Sequence, residues 1–210
     1  MFKVTSLHMK QTILAMYSGG LDSLGMLYKL LTEDAYKDYN LHIHHIHNVN
    51  VENRHHAESV VVNQVKKELA NLGFNFIYSE SKIITSPFNN RFMVDVDMMN
   101  FFAGYVASVN PDIVKVAIGQ QASDGARRLE ERRIRGQKIF SVFSTAEKIY
   151  PVGDMTKRQI YDILPESLRN KFWSCRRPNY EQKIAKPCLG CDTCQALQDQ
   201  GIPFNMEMML

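Results

Sequence analysis

Short apolar runs alternate with amphipathic stretches along much of the chain, and this alternation predicts strands followed by helices. The apolar or alternating runs that read as strands lie at 12–17, 41–49, 74–78 and 112–118. The stretches with helical spacing of apolar residues lie at 23–32, 53–72 and 96–109. The order β-α-β-α-β-α-β predicts an α/β fold with a parallel, doubly wound, Rossmann-like sheet that has helices on both faces.

A glycine-containing turn joins the first predicted strand to the first helix and reads Ser18-Gly19-Gly20-Leu21-Asp22-Ser23. The two glycines allow positive φ angles and a close approach of the backbone to an anion. The following helix N-terminus offers unpaired N–H groups and the positive end of its dipole. Ser18 and Ser23 add hydroxyl donors, and Asp22 either caps the helix or helps to hold Mg²⁺ on the phosphates. The spacing is not that of a Walker A loop.

The turn therefore predicts a site for the phosphates of ATP, which we call the phosphate loop. Ligands of parallel sheets bind at the carboxyl ends of the strands, and Gly119 ends the fourth predicted strand. We expect the phosphate loop and Gly119 to border one cleft. The residues predicted to bind the nucleotide are Tyr17, Ser18, Gly19, Gly20, Leu21, Asp22, Ser23, Leu24 and Gly119.

The pattern changes beyond about residue 150, where a short helix is predicted at 155–163 and a loop-like stretch at 173–196. That stretch holds all four cysteines of the chain, Cys175, Cys188, Cys191 and Cys194. Four thiolates at such spacing can converge on a tetrahedral Zn²⁺, and a Cys₄ set also suits an iron–sulfur cluster. We expect a nucleotide-binding domain at 1–150 and a helical, zinc-binding region at 151–210.

Composition narrows the class of protein. Of the 210 residues, 45% are hydrophobic and 22% are charged, which excludes a disordered chain. The net charge of +3 is small for a committed nucleic-acid binder. No apolar run of about 18 residues predicts a membrane span, and the N-terminal residues lack a signal-peptide cleavage site. We expect a cytoplasmic protein that does not require nucleic acid, and a homodimer is one assembly open to it.

Two local patterns have simpler interpretations. Residues 127–138 hold six basic and two acidic side chains, which is typical of a solvated helix, with contact to a phosphate-bearing substrate as the alternative. Strand alternation places His42 and His44 on one face and His45 and His47 on the other, so the four histidines are not expected to form a metal site.

The phosphate loop resembles the signature of the PP-loop ATP pyrophosphatases, and distant motifs narrow the resemblance. Phe172-Trp173-Ser174-Cys175 and Cys188-Leu189-Gly190-Cys191-Asp192-Thr193-Cys194 resemble the C-terminal zinc-binding elements of the 7-cyano-7-deazaguanine synthases (the QueC family). The segment from Asn53 to Glu58 resembles the family's Arg-His-x-x-Glu element. Pro151 and Lys157 resemble its P-x-x-x-x-x-K element.

The resemblance implies an ATP-dependent ligase that converts 7-carboxy-7-deazaguanine and ammonia to 7-cyano-7-deazaguanine through an adenylate. It implies ATP, Mg²⁺ and Zn²⁺ as cofactors. It adds Arg54, His55 and Lys157 to Ser18, Asp22 and Ser23 as the predicted catalytic residues, with Arg54 and Lys157 as the cations that stabilise the transferring phosphoryl group.

The middle of the chain departs from the family, and three other functions stay open. The family's V-P-G-R-N-type and Tyr-Pro-Asp-Cys-Arg-type elements are missing, although Arg91 and Asp124 lie near the corresponding positions. One alternative is a diverged relative that adenylates the same acid but joins it to another acceptor, in nucleic-acid modification or defence. Another is a tRNA-thiolating PP-loop enzyme, which would need a cysteine free of metal. The last is a non-catalytic nucleotide-binding module.

Overall fold

Five parallel strands form the central sheet of the computed structural model, which describes residues 10–85, 95–122 and 126–210, without the side chains of 126–129. The strands are β1 Thr12–Met16, β2 Asn40–Val49, β3 Ile77–Ile84, β4 Ile113–Ile118 and β5 Glu147–Ile149. Their order in the sheet is β3-β2-β1-β4-β5. The order reverses between β1 and β4, so a crevice opens at their carboxyl ends, where ligands of such sheets bind.

Helices cover both faces of the sheet, as predicted. They are α1 Leu21–Thr32, α2 His55–Asn71, α3 Asp95–Ser108, α4 Ala126–Ser141, α5 Lys157–Ile163 and α6 Glu166–Arg169. Ile13 and Ala15 of β1 face a core shared with α1, α2, α5 and α6, whereas Leu14 and Met16 face a core shared with α3 and α4. All five residues of β1 are buried, because this central strand is covered on both sides.

The C-terminal region adds a small antiparallel sheet and one helix. Its elements are β6 Asn179–Glu181, β7 Ile184–Lys186, α7 Asp192–Asp199 and β8 Met208–Met209. Gln182 and Lys183 have φ angles of 47° and 67°, which suit the two-residue turn of the β6–β7 hairpin. The stretch 173–196, predicted to be loop-like, therefore contains a hairpin and the start of a helix.

Two strand predictions also need correction. The third strand begins at Ile77 instead of residue 74 and continues to Ile84. It lies at the edge of the sheet and alternates between half-buried and exposed side chains, so it lacks the apolar run that marks a buried strand. Strand β5 has only three residues and was not predicted.

The region after residue 150 shares its core with the sheet. Val152, Ile160, Leu168 and Phe172 are buried in the same cluster as Leu24 of α1. Within the described ranges, no helix is long and apolar enough to cross a bilayer.

Candidate functional site

The phosphate loop lies where β1 ends and α1 begins. Gly19 has a φ of 86°, and a Cβ there would meet Val61 at 3.1 Å, so a side chain would be both strained and crowded. Gly20 does not use the positive φ that a glycine allows: its backbone is extended, with a φ of −83°, and it precedes α1. No side chain of the described residues caps α1, which leaves its first N–H groups free for an anion.

Hydroxyl groups cross-link the loop. Ser23 Oγ lies 3.0 Å from Ser18 Oγ and donates a hydrogen bond to the carbonyl of Gly20, also at 3.0 Å. Ser18 Oγ in turn accepts from the N–H of Gly20 at 3.3 Å. These bonds fix the shape of the loop before any ligand is bound, which lowers the cost of ordering it around an anion.

Lys157 joins Asp22 in the loop although 135 residues separate them in the chain. Its Nζ donates to both carboxylate oxygens of Asp22, at 2.8 and 2.7 Å, and its side chain is buried. Lys157 is the first residue of α5, whose start is fixed by a capping box between Thr156 and Gln159. The structure thus brings together two of the residues predicted to be catalytic.

Gly119 lies against the first turn of α1. A Cβ at this position would stand 2.5 Å from Ser23 Cα and 2.7 Å from Ser23 N. Ser18, Ser23 and Gly119 all line one cavity of about 260 Å³, so the shared cleft that we expected is present. Tyr17 and Leu21 are buried beneath the loop, and Leu24 lies in the core.

Arg54 is surrounded by carboxylates near this cavity. Its guanidinium lies within 3.3 Å of Glu52 and Glu58 and donates to Asp95. Burial alone would lower the pKa of Arg54. The three carboxylates outweigh burial and raise the pKa above its ordinary value, so the side chain stays charged. Burial raises the pKa of Glu58 to about 7, against the lowering effect of Arg54. Arg176 donates to Glu52 and to Asp95, which extends the network.

Asp95 joins this network to a second, smaller cavity of about 80 Å³. Ser18, Arg54 and Asp95 line both cavities, and Glu58 and His44 line the smaller one. The two spaces therefore adjoin beside the phosphate loop. Met98 and Met99 add apolar surface to the smaller one, as is usual in small-molecule sites.

His55 is not part of these cavities. It lines a separate surface cleft with His47, His56 and Lys82, and its ring lies 4.0 Å from that of His56. Burial, followed by the charges of His56 and Lys82, lowers the pKa of His55. The structure thus separates His55 from the phosphate loop.

The strand histidines follow the predicted alternation. His42 and His44 both hydrogen-bond Ser79, at 2.6 and 2.7 Å, on one face of β2. His45 bonds the carbonyl of Tyr17 on the other face, where its ring contacts that of His47. The prediction that the four do not converge is confirmed.

The four cysteines converge. All four sulfur atoms lie within 4.8 Å of one another, and the backbone N–H of Cys188 donates to Cys175 Sγ at 3.2 Å. Burial raises the pKa of Cys175 to about 11 and also raises that of Cys194, whereas hydrogen bonds with Thr193 and with the backbone of Arg176 and Cys194 outweigh burial at Cys191 and lower its pKa to about 6. The convergence of four sulfur atoms, and not their pKa values, is what fits a metal ion.

The cysteine cluster is attached to the phosphate loop through Trp173. Its backbone N–H donates to the carbonyl of Gly19 at 2.8 Å, and its indole N–H donates to the carbonyl of Cys175 at 3.0 Å. Trp173 is buried with Cys175, Cys191 and Cys194 against α2. One residue therefore touches both candidate sites.

Several residues of the cavities were missed by reasoning from the sequence. They are Glu58, Asp95, Lys148 and Arg176. Glu58 is the last residue of the segment that resembles the Arg-His-x-x-Glu element, and Arg176 directly follows the segment from Phe172 to Cys175, so the motifs themselves were an available signal for both. Arg91 and Asp124, which lie near the positions of the missing family elements, fall outside the described residues.

Comparisons with known proteins establish the fold. No protein-family model matches the chain, and no curated protein sequence matches it. Among solved structures, the chain is similar to the U34-tRNA thiolase NcsA from Methanococcus maripaludis, which was solved with its 4Fe–4S cluster. The TM-score is 0.53 and the identity 18%, and the match covers 79% of this chain and 59% of that one. The likeness and the parallel sheet confirm the predicted α/β fold, and the C-terminal Cys₄ group could bind a metal.

Proposed function

We propose that this chain is an ATP-dependent enzyme that adenylates 7-carboxy-7-deazaguanine and converts it with ammonia to 7-cyano-7-deazaguanine. The observation that carries the proposal is the hydrogen bond from Trp173 to Gly19, which joins the phosphate loop to the cysteine cluster. These are the two elements on which the resemblance to the QueC family rests, and they lie far apart in the sequence. Their contact supports a single site built from both.

The reaction needs two rounds of activation because neither a carboxylate nor an amide oxygen is a good leaving group. In the first round, the carboxylate attacks the α-phosphorus of ATP and releases pyrophosphate. Ammonia then displaces AMP and gives the amide. In the second round, the amide oxygen is adenylated, pyrophosphate leaves, and loss of AMP and protons forms the nitrile. Each nitrile therefore consumes two ATP and one ammonia.

The residues of the phosphate loop suit the ATP side of this reaction. The N–H groups at the start of α1 and the hydroxyls of Ser18 and Ser23 can bind the phosphate oxygens. Lys157 holds Asp22 at the edge of the loop, and carboxylate oxygens are ligands that suit Mg²⁺. Mg²⁺ would neutralise charge on the phosphates.

We further propose that the cysteines hold one Zn²⁺. Zn–S bonds of about 2.3 Å in a tetrahedron place the sulfurs about 3.8 Å apart. The limit of 4.8 Å between all four sulfurs agrees with a single ion. A 4Fe–4S cluster binds each thiolate on a different iron, which requires the four cysteine sulfurs to lie farther apart than around a single ion. The four filled positions give the ion a structural role, since no position is left open for a substrate.

The test is a reconstitution of zinc-loaded protein with the acid, ATP, Mg²⁺ and ammonium, followed by mass spectrometry. We expect the nitrile, with two AMP for each nitrile formed. Ser23→Ala removes the hydroxyl that ties Ser18 to Gly20 and should slow AMP release at least tenfold without loss of zinc. Folded, zinc-loaded protein that forms neither amide nor nitrile would contradict the proposal.

A second candidate function is adenylation of the same acid followed by transfer to another acceptor. Arginine side chains of α4 reach the cavity, which favours a phosphate-bearing acceptor. In the same assay this function would give acid-dependent pyrophosphate exchange that ammonium does not accelerate.

The remaining alternatives are less well supported. The similarity to the tRNA thiolase favours sulfur transfer, but convergence of all four cysteines leaves no thiol apart from the cluster. A non-catalytic module would bind ATP and show no exchange with pyrophosphate.

A further inference from the structure

The larger cavity carries two kinds of basic side chain. Arg54 and Arg176 are ion-paired with Asp95. Arg132 and Arg133 of α4 and Lys148 of β5 also line the cavity, and we call these three residues the basic wall. None of the three makes an ion pair with any residue that the structure describes. The cavity therefore has cationic groups whose charge is not balanced within the described part of the chain.

Lys148 of the basic wall is half-buried. Its Nζ donates to Asn100 Oδ1 at 2.7 Å and lies 5.3 Å from the centre of the Phe140 ring. An ammonium group has three N–H donors, and Asn100 accepts one of them. Burial lowers the pKa of Lys148 to about 8, since no carboxylate of the described residues compensates for the lost water.

The position of Lys148 is fixed by its surroundings. Asn100 is buried, and its Nδ2 donates to the carbonyl of Val96 at 2.7 Å, which aims its oxygen at Lys148. Gly136 of α4 lies against Asn100 so closely that a Cβ would stand 2.5 Å from Nδ2. Helices α3 and α4 and strand β5 thus hold the amine in one place beside the cavity.

Arg133 is similarly constrained. Its Nε donates to Gln120 Oε1 at 3.1 Å, and its guanidinium lies 4.7 Å from the centre of the Tyr150 ring. These contacts are neutral, so the positive charge remains available to a ligand. A pre-positioned cation loses less side-chain entropy on binding than a mobile one.

We propose that the basic wall, with Lys148 at its centre, binds the carboxylate of the acid that is to be adenylated. This inference rests on the proposed function. An acid and ATP are both anions, and they must come into contact in one cavity. If the phosphate loop binds ATP, the acid needs positive groups of its own to offset the repulsion. Lys148 supplies a half-buried positive charge that a carboxylate could pair with, in the same cavity as Ser18 and Ser23.

The first test measures binding of 7-carboxy-7-deazaguanine by calorimetry, with the phosphate loop saturated by Mg²⁺ and α,β-methylene-ATP. Lys148→Met should weaken acid binding about tenfold or more, because one charged hydrogen bond is lost. Affinity for the nucleotide analogue should stay within about twofold. Lys138→Met, on the exposed side of α4, is the matched control and should change neither. Unchanged acid binding in Lys148→Met, or a loss confined to the nucleotide, would overturn the inference.

The second test separates this inference from the choice of substrate. The pKa of the Lys148 amine is followed by NMR of ¹³C-labelled lysine, alone and with the nucleotide analogue, with the acid, and with benzoate. A carboxylate bound at Lys148 should raise its pKa. If benzoate raises the pKa and the acid does not bind, the proposed substrate is wrong and the carboxylate site stands. If the nucleotide alone raises it, or no carboxylate does, the inference fails.

Discussion

A methyl group added at Gly119 should damage the phosphate loop more than the fold. In Gly119→Ala the new Cβ would stand 2.5 Å from Ser23 Cα, 2.7 Å from Ser23 N and 3.0 Å from the carbonyl carbon of Asp22. All three are backbone atoms, so no side-chain rotation relieves the contact. The end of β4 and the first turn of α1 must move apart.

The size of that movement follows from the same distances. Ordinary contact begins at 3.4 Å, so separation of the new Cβ from Ser23 Cα requires a shift of about 0.9 Å. Overpacking of this kind costs about 1–3 kcal/mol of stability. A displacement of about 1 Å in a reacting group can reduce the rate about 100-fold. We therefore expect a folded variant whose acid-dependent release of pyrophosphate falls by about two orders of magnitude.

The assay combines pyrophosphate release, calorimetry with α,β-methylene-ATP, and urea unfolding. Gly73→Ala is the matched control, because Gly73 has a φ of 82° and a Cβ there would meet nothing within 4 Å. It should cost about 1 kcal/mol through backbone strain and leave nucleotide binding unchanged. Nucleotide affinity and turnover of Gly119→Ala within about twofold of the natural protein would refute the reasoning.

Three further predictions concern buried groups. Lys157→Met removes the ion pair with Asp22 and should lower the free energy of unfolding in urea by about 3 kcal/mol, part of which Asp22→Asn should restore; simple additivity would contradict the pairing. Cys175→Ser should lose the bound metal and lower the Tm, as measured by plasma mass spectrometry and calorimetry, and a full equivalent of metal in the variant would count against the site. Burial raises the pKa of Glu58 from its ordinary 4.5 to about 7, so the folded protein binds this proton more tightly than the unfolded chain does. The stability that this difference provides is complete below pH 4.5 and is lost as the pH rises to about 7. Between pH 4 and pH 8, the free energy of unfolding should therefore fall less in Glu58→Gln than in the natural protein. Parallel curves of unfolding free energy against pH for the two proteins would rule this out.

The sequence predicts those features that depend on neighbouring residues. The phosphate loop is encoded in six consecutive positions between a buried strand and a helix, and its glycine and serine contacts are local. The cysteine cluster could likewise be predicted, because three of its four ligands lie within seven residues of one another. Strands β1, β2 and β4 were found since each has a buried face that imposes a visible apolar pattern.

Features that depend on tertiary contacts could not be predicted in this way. Lys148 lies on a three-residue strand with no apolar signature, and its environment comes from Asn100 and Gly136 on two other elements. The bond between Trp173 and Gly19 joins residues from opposite ends of the chain. Neither spacing nor composition carries information on such pairs.

The shared core has a consequence for the order of events during synthesis. Strand β1 and helix α1 are synthesised before the residues from Val152 to Ile202 that share the buried core of α1. A nascent chain that has reached the end of β5 has all five strands of the central sheet but lacks Val152 and Ile160, which lie against Gly25 of α1. Stable folding of the nucleotide-binding half must therefore wait for the C-terminal residues, and a growing chain needs protection from aggregation until they appear.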